Sequence, residues 1–496
     1  MSVARNALLN LIGHVAPLAA AVVALPPLVS RLDPERFGFL SLAWVLVGYF
    51  SLFDLGFGRA LSRIAAERAG TPRESELPAL SRVALISSLV LGGVAGAVLI
   101  TAAEWICAHL LRLPNALQPE AVTALKVLAI CLPFVTGTSA LRGLLEAANR
   151  FGWVNVIRVA LGVLTFVAPL VCVFFTSSLR AMAGALIAVR ILGAAAHWLA
   201  CTKLCAAWMP DHSRRFRGAA EMLAFGGWLT VSNTVGPLMA YVDRFVIATL
   251  VSVAAVAFYT VPYEALTRLW VVPAAICGVL FPAFAASHAA RPDRSIALYR
   301  SGLKAVLLAA VPPMLLATLF ANEGLTIWVG AEYAQRGARV AQLLAFGVLV
   351  NCLAYIPFTL LQASGRADLP AKLHLVELPL YLGALYVFVP RYGIEGAALA
   401  WSIRCIADAL GLFVLAQRRL PASSPVLGGT QLLATVVALA AVPAAAVPES
   451  VPAKLLYLVL VAATLSAIVW FVLLDPRERA LLRRPLALLS ADEASR

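Results

Sequence analysis

Residues 80–103, LSRVALISSLVLGGVAGAVLITAA, contain a single charged side chain, that of Arg82. An α-helix of about 20 consecutive apolar residues crosses the hydrocarbon core of a bilayer, which is about 30 Å thick. A surface helix of a soluble protein has a continuous polar face, and this run has none. The segment therefore predicts a membrane-spanning helix.

The composition extends this interpretation to the whole chain. Of the 496 residues, 62% are hydrophobic and 13% are charged, whereas soluble globular proteins have about 45–50% apolar and about 25% charged residues. A soluble fold has no core large enough to bury so much apolar surface. We therefore exclude a soluble enzyme, a DNA-binding module and a disordered protein, and we expect a polytopic membrane protein.

Similar apolar runs recur along the chain and predict an all-α protein with about 14 transmembrane helices. The runs are Ala7–Val29, Phe37–Leu61, Leu80–Ala103, Ala121–Leu145, Val154–Phe175, Ala181–Leu204, Ala220–Tyr241, Val256–Ala286, Ser301–Phe320, Ala338–Leu361, Leu369–Val389, Ala397–Gln417, Thr430–Val447 and Pro452–Leu474. The connections are short, so we expect the function to lie among the helices.

The positive charges predict the orientation in the membrane. The formal net charge is +14, and Lys and Arg gather in the loops on the side of both termini, as at Arg214, Arg215 and Arg217. The opposite side has few, such as Arg112 and Arg180. Cytoplasmic loops carry this excess in bacterial inner-membrane proteins. We therefore expect both termini in the cytoplasm, and the charge is no evidence for nucleic-acid binding.

Two short motifs recur in the second half of the chain and indicate an internal repeat. Leu144–Arg150 (LLEAANR) resembles Leu360–Arg366 (LLQASGR), and the segment around Arg190 resembles the one around Arg404. Corresponding helices are six apart, so the halves have the same orientation, as in several transporter folds. We expect lobes at residues 1–209 and 210–420 around a central cavity, followed by residues 421–496 with helices 13 and 14 and a cytoplasmic tail.

Several cations lie within or beside the predicted spans, where a charge costs about 2.5–3.5 kcal/mol on insertion scales. Arginine stays charged and binds phosphate through a planar fork. We therefore predict cations that bind an anionic substrate in the central cavity. They are Arg59, Lys126, Arg158, Arg190, Arg268 and Arg404.

Acidic residues in or beside the same spans are candidates for ion coupling or gating, and they are Asp54, Asp243, Glu264, Glu377 and Asp408. A second interpretation stays open: Glu264 with Arg268, and Arg404 with Asp408, have i,i+4 spacing and could form ion pairs. Asp54 with Arg59, and Asp243 with Arg244, could likewise form salt bridges at the membrane interface.

We expect no metal site and no cofactor. Cys201 and Cys205 lie one helical turn apart, but no His or carboxylate stands beside them at ligand spacing. The histidines His14, His197 and His374 could take part in proton coupling or be merely hydrogen-bonded.

The opening of the chain resembles the Wzx-type flippases of O-antigen and exopolysaccharide repeat units, members of the MOP superfamily. The resemblance lies in Phe37–Leu42 (FGFLSL), in Asp54–Leu61 (DLGFGRAL) and in the later Asp243-Arg244. It implies a fourteen-helix, two-lobed transporter with a cationic cavity. Such proteins move undecaprenyl-diphosphate-linked oligosaccharide across the inner membrane by alternating access, coupled to an ion gradient. The implied partners are that lipid-linked oligosaccharide, membrane lipids, a polysaccharide polymerase and a chain-length regulator.

Two alternatives come from other classes of protein. A MATE-like exporter of cationic drugs would need acidic cavity residues, and acids are the minority here. A membrane glycan polymerase or glycosyltransferase would need a large extramembrane loop or an acidic donor-sugar motif, and we find neither. The sequence also has no nucleotide-binding loop. We therefore expect a transporter rather than an enzyme.

Overall fold

The computed structural model describes residues 3–50, 57–68, 70–209, 235–236, 238–287, 292–420, 429–474 and 479, and this part of the chain is helical without any strand. The helices are α1 (Val3–Arg31), α2 (Pro34–Phe50), α3 (Phe57–Arg68), α4 (Leu77–Trp105), α5 (Gln118–Ile130), α6 (Leu132–Ala147), α7 (Phe151–Val173), α8 (Leu179–Leu204), α9 (residues 238–250), α10 (Val253–Thr267), α11 (Val271–Ser287), α12 (Pro292–Leu319), α13 (Ala321–Val329), α14 (Ala331–Ala363), α15 (Asp368–Gln417), α16 (Gly429–Ala444) and α17 (Val451–Ile468).

Nine helical segments of the described residues are long and apolar enough to cross a membrane. One of them, the 50-residue α15, contains two of the predicted spans. Shorter apolar helices lie at Ala16–Arg31 and Thr435–Ala444, where the first and thirteenth spans are predicted. The second predicted span corresponds to α2 and α3, and the seventh, Ala220–Tyr241, lies largely outside the described residues. The chain is thus an all-α, multi-pass membrane protein, as predicted.

Proline and glycine divide several of the long apolar runs. The predicted span Ala121–Leu145 is interrupted at Cys131, between α5 and α6. Pro133 lacks the N–H that would continue the helical ladder to Ala129, and its ring crowds the preceding turn. Helix α15 breaks at Gly393, whose φ of +58° and ψ of −134° are not helical. Glycine adopts this conformation without the steric conflict of a Cβ atom.

By its contacts the chain forms two compact units. The first comprises Met1–Val261, Trp328–Tyr333 and Leu378–Ala397, and the second comprises Pro262–Ile327, Ala334–Glu377 and Ala398–Arg496. Each unit gathers segments that are distant in sequence. The predicted lobe boundaries at residues 209 and 420 stay predictions.

Close helix packing in the first unit depends on small residues, as is common between membrane helices. The backbones of α3 and α6 meet at Gly58 and Gly143, where a Cβ on Gly143 would lie 2.2 Å from the carbonyl oxygen of Gly58. On α6, the Thr136 hydroxyl donates a hydrogen bond of 2.7 Å to the Ser88 carbonyl oxygen of α4. Close approach and interhelical hydrogen bonding therefore join three helices.

A methyl group at Gly143 should force α3 and α6 apart. We expect Gly143→Ala to destabilise the protein by about 1–3 kcal/mol, the usual penalty of overpacking. The measurement is thermal unfolding of the purified protein in detergent. Gly152→Ala is the matched control, because a Cβ there meets nothing within 4 Å. Equal thermal midpoints for the two variants would contradict this packing.

In the second unit, an ion pair attaches the last long helix to its surroundings. Lys454, at the start of α17, donates hydrogen bonds of 2.7 and 2.9 Å to the two carboxylate oxygens of Glu323 on α13. The Lys454 side chain is 9% exposed. This hydrogen bonding lowers the pKa of Glu323 below its ordinary value of 4.5.

Removing the carboxylate should leave the Lys454 ammonium buried without its partner. We expect Glu323→Gln to lower stability by about 1–3 kcal/mol, and Glu323→Gln combined with Lys454→Met to recover most of that loss. Because the pKa of Glu323 is lowered in the folded state, the contribution of the pair is present at neutral pH. This contribution is lost as the pH falls below 4.5 and then through the lowered pKa of Glu323. Thermal midpoints across this pH range test the prediction, and a double variant no more stable than Glu323→Gln would refute it.

Candidate functional site

Arg190 lies half-buried on α8 in the first unit, within an apolar membrane-spanning segment. Its guanidinium Nη2 donates a hydrogen bond of 3.2 Å to the hydroxyl of Thr165 on α7. The indole N–H of Trp44 donates to the backbone carbonyl of the same threonine at 3.2 Å, and the Trp44 and Phe166 rings are 5.1 Å apart. Arg190 and Trp44 therefore bond the same residue, Thr165, one through its hydroxyl and the other through its backbone carbonyl.

No carboxylate in the described part of the chain forms an ion pair with Arg190. The guanidinium Nε is buried and has no hydrogen-bond acceptor among the described residues. Because arginine cannot lose its proton in a protein, the positive charge persists in this apolar segment. A guanidinium held in this way can bind an anion through two parallel hydrogen bonds.

Arg404, at the equivalent position of the predicted repeat, lies in an aromatic cluster of the second unit. Its guanidinium carbon is 5.5 Å from the centre of the Trp401 ring, and Nη2 is 3.1 Å from Cys405 Sγ. Trp401 is fully buried, and its ring centre lies 5.6 Å from that of Tyr263 and 6.5 Å from that of Trp270. Sequence reasoning missed these aromatic residues, although Trp401 precedes Arg404 by one helical turn.

The indole N–H groups of Trp401 and Trp270 are buried, and neither has a hydrogen-bond acceptor within the described ranges. A buried donor without an acceptor is unfavourable, and such groups often mark binding sites. Together with the Arg404 guanidinium, this cluster presents hydrogen-bond donors and positive charge in the second unit.

The structure decides between the alternatives left open for the i,i+4 pairs. Glu264 and Arg268 form a short ion pair within the second unit. Asp408 instead lies with its Oδ1 at 3.2 Å from His374 Nε2. Arg268 is thus paired with an acid, whereas Arg404 lies against Trp401 and Cys405.

His374, Glu377 and Asp408 form a cluster in the second unit, with one ligand atom from each residue within 4.8 Å of the others. Glu377 and Asp408 are buried, and both Glu377 carboxylate oxygens have no hydrogen-bond partner among the described residues. Two of the predicted coupling acids therefore meet, together with one of the candidate histidines. His197 instead makes a 2.8 Å hydrogen bond to the Gly193 carbonyl oxygen.

Asp243 and Arg244 are buried on α9, with 0% and 1% of their surface exposed. Asp243 accepts a short hydrogen bond from the Tyr259 hydroxyl and a bond of 2.8 Å from the Arg244 backbone N–H. The Arg244 guanidinium lies 5.1 Å from the Tyr241 ring centre. The Asp243-Arg244 motif, which belongs to the family resemblance, therefore forms a buried polar cluster inside the first unit.

The remaining predicted site residues lie apart from these clusters. The Lys126 side chain is 39% exposed and forms an ion pair of 2.8 Å with Glu104. Arg158 is exposed and donates to the Asn155 side-chain oxygen at 2.6 Å. Asp54 lies outside the described residues, and so does the side chain of Arg59, whose backbone belongs to α3.

Known proteins resemble this chain in sequence over most of its length. A family model described as "Polysaccharide biosynthesis protein" matches residues 3–288. The curated protein named "Putative O-antigen transporter" from Shigella flexneri is 31% identical over 419 residues, which are 83% of this chain and 96% of that protein.

Two solved structures share the fold. Lipid II flippase MurJ in an inward closed conformation has a TM-score of 0.71 at 12% identity, over 93% of this chain and 98% of that one. An inward-facing multidrug resistance MATE family transporter of the MOP superfamily has a TM-score of 0.68 at 16% identity, over 82% of this chain and 97% of that one. These similarities concern the fold alone. The family match and the Shigella flexneri relative confirm the resemblance seen in the sequence: the chain belongs to the polysaccharide biosynthesis protein family.

Proposed function

We propose that this protein is a flippase that moves undecaprenyl-diphosphate-linked oligosaccharide across the bacterial inner membrane. The observation that carries the proposal is Arg190, a guanidinium in a membrane-spanning helix with a hydroxyl partner and, among the described residues, no acid. A permanent charge in that position favours an anionic cargo. The Shigella flexneri relative, named "Putative O-antigen transporter", supports the same class of cargo.

The two arginine sites suit the diphosphate and saccharide parts of such a cargo. A guanidinium binds phosphate oxygens in pairs, and Arg190 and Arg404 stand at equivalent positions of the predicted repeat. Arg404 lies near the Trp401 ring, and Arg190 shares its partner Thr165 with Trp44. We keep Arg59, Lys126, Arg158 and Arg268 as further proposed substrate-binding cations.

An apolar groove of about 670 Å³ in the second unit suits the lipid tail of the same cargo. Its walls come from α12, α16, α17 and the turn after α17, and include Leu307, Val311, Leu465 and Trp470. Burial of isoprenoid carbon against such side chains is favourable by about 25 cal/mol per Å². We propose that the tail lies there while the head group crosses.

The proposed cycle is alternating access between the two leaflets, with both termini in the cytoplasm and with no chemical reaction on the cargo. Asp54, Asp243, Glu264, Glu377 and Asp408 are the proposed coupling or gating acids. A polysaccharide polymerase and a chain-length regulator are the proposed protein partners on the periplasmic side. Nothing in this cycle calls for nucleic acid, a nucleotide or another cofactor.

A second candidate function is cation antiport of the MATE type. The observation that favours it is the buried pair of carboxylates, Glu377 and Asp408, which suits a positively charged ligand. An acid-lined drug site and an arginine-lined diphosphate site require opposite charges. The cargo therefore discriminates between the two functions.

Reconstitution into proteoliposomes tests the proposal. Liposomes contain a fluorescent polyprenyl-diphosphate oligosaccharide, and the fraction accessible to an added lectin is followed with time. We expect protein-dependent exchange between leaflets and no uptake of ethidium under a Na⁺ or H⁺ gradient. Ethidium transport without movement of the glycolipid would establish the antiporter instead.

A further inference from the structure

The cluster of His374, Glu377 and Asp408 has the composition of a metal site. His374 and Glu377 are one helical turn apart on α15, so their side chains lie on the same face. Asp408 follows 34 residues after His374, yet its Oδ1 is 3.2 Å from the imidazole Nε2. In a straight helix that separation would be about 51 Å. The break at Gly393 therefore brings the two parts of α15 together at these three residues.

The distances allow simultaneous coordination of one ion. One donor atom of each residue lies within 4.8 Å of the other two. A tetrahedral Zn²⁺ holds nitrogen and oxygen ligands at about 2.0–2.2 Å, which places its ligand atoms about 3.4 Å apart. Small rotations of the Glu377 side chain would close the remaining gap.

Glu377 gives a second, independent indication of a ligand. Its side chain is 5% exposed, and neither carboxylate oxygen has a hydrogen-bond partner in the described ranges of the chain. Burial of an ionised carboxylate without a partner is strongly unfavourable. One of its carboxylate oxygens lies within 4.8 Å of a ligand atom of His374 and of one of Asp408.

The donor set selects the class of ion. Imidazole nitrogen favours Zn²⁺ and its neighbours over Na⁺, Mg²⁺ or Ca²⁺, which prefer oxygen ligands alone. In their ionised, metal-binding forms Glu377 and Asp408 supply two negative charges, which a divalent ion offsets. Phe358 stacks on the imidazole, with ring centres 6.3 Å apart, and restricts its orientation.

We propose that His374, Glu377 and Asp408 form a Zn²⁺ site with an open fourth position, which ties the two parts of α15 together. The proposed Zn²⁺ site uses Glu377 and Asp408, which are two of the acids assigned to coupling or gating in the proposed function. Binding is measured without transport, so failure of the metal site leaves the flippase proposal standing, and the reverse also holds.

The test uses the full-length, untagged protein, purified in detergent and treated with a chelator. Titration with Zn²⁺ should show one tight site. The variants His374→Ala, Glu377→Gln and Asp408→Asn should each weaken the affinity at least 100-fold, because each removes one of three ligands. Glu395→Gln, a change of an exposed carboxylate on the same helix, should bind Zn²⁺ like the wild type.

X-ray absorption at the zinc edge separates this site from the eight cysteines. We expect nitrogen and oxygen neighbours at about 2.0–2.1 Å and no sulfur at about 2.3 Å. Size-exclusion chromatography confirms that each variant is folded, and Glu377→Gln, nearly equal in shape, is the decisive one. Sulfur neighbours, no Zn²⁺ binding by the wild type, or equal affinity in Glu377→Gln would each overturn the proposal.

Discussion

Replacing Arg190 with glutamine is expected to slow the transport of diphosphate-linked oligosaccharide about 10- to 100-fold. A hydrogen bond to a charged group contributes about 1.5–3 kcal/mol, and each 1.4 kcal/mol is about a factor of ten. Glutamine keeps a hydrogen-bond donor near Thr165 but removes the charge and the planar fork. Transport is measured in proteoliposomes, with the amount of inserted protein determined for each variant.

Two further variants make this prediction specific to the guanidinium. Arg190→Lys keeps the charge without the fork, so we expect an intermediate rate. Arg180→Gln removes an exposed arginine at the start of the same helix, and its rate should equal that of the wild type. If Arg190→Gln transports normally, Arg190 has no part in binding the cargo.

Replacing Arg404 with glutamine is expected to have an effect of similar size, about 10- to 100-fold, because the residue occupies the equivalent position of the predicted repeat. The Trp401 ring beneath its guanidinium contributes a cation–π interaction of about 0.5–2 kcal/mol. Trp401 is therefore a positioning residue. Trp401→Leu should slow transport, and Trp401→Phe, which keeps an aromatic face, should restore much of the rate.

The matched control for Arg404 is the variant Arg391→Gln. Arg391 is an exposed arginine of the same helix, and in the described structure it donates a hydrogen bond only to a backbone carbonyl. We expect no change in rate. A loss in Arg391→Gln as large as that in Arg404→Gln would mean that any lost positive charge on α15 impairs transport. The specific role of Arg404 would then be wrong.

The fold class follows from the sequence because membrane insertion depends on the summed hydropathy of about 20 consecutive residues. Leu80–Ala103 lies within α4, and the α15 break at Gly393 lies between the predicted spans Leu369–Val389 and Ala397–Gln417. Interruptions such as Cys131 and the short 3₁₀ turn at Arg268–Trp270 are harder to predict. They depend on local backbone geometry that hydropathy does not measure.

The candidate site could be predicted only where partners are close in sequence. The ion pair of Glu264 and Arg268 follows from i,i+4 spacing. The same spacing suggested an ion pair between Asp408 and Arg404. The structure pairs Asp408 with His374 instead, because the chain reverses between them. No pattern of spacing predicts a cluster built across such a reversal, and for this reason the sequence gives no indication of a metal site.

The aromatic residues around Arg404 illustrate a second limit. Tyr263, Trp270 and Trp401 come from α10, the following turn and α15, and only Trp401 is near Arg404 in sequence. Apolar residues are so frequent in this chain that no single tryptophan stands out. Their role depends on which ring faces the guanidinium, a property of tertiary packing.

In the proposed function, arginines within the membrane recognise the diphosphate of the lipid-linked cargo. The most direct test compares the transport of two glycolipids with the same saccharide and the same polyprenyl chain, one linked through a diphosphate and one through a monophosphate. If the two arginines recognise the diphosphate, the wild type strongly prefers the diphosphate and Arg190→Gln combined with Arg404→Gln loses this preference. Equal rates for both cargoes in the wild type, or an unchanged preference in the double variant, would contradict it.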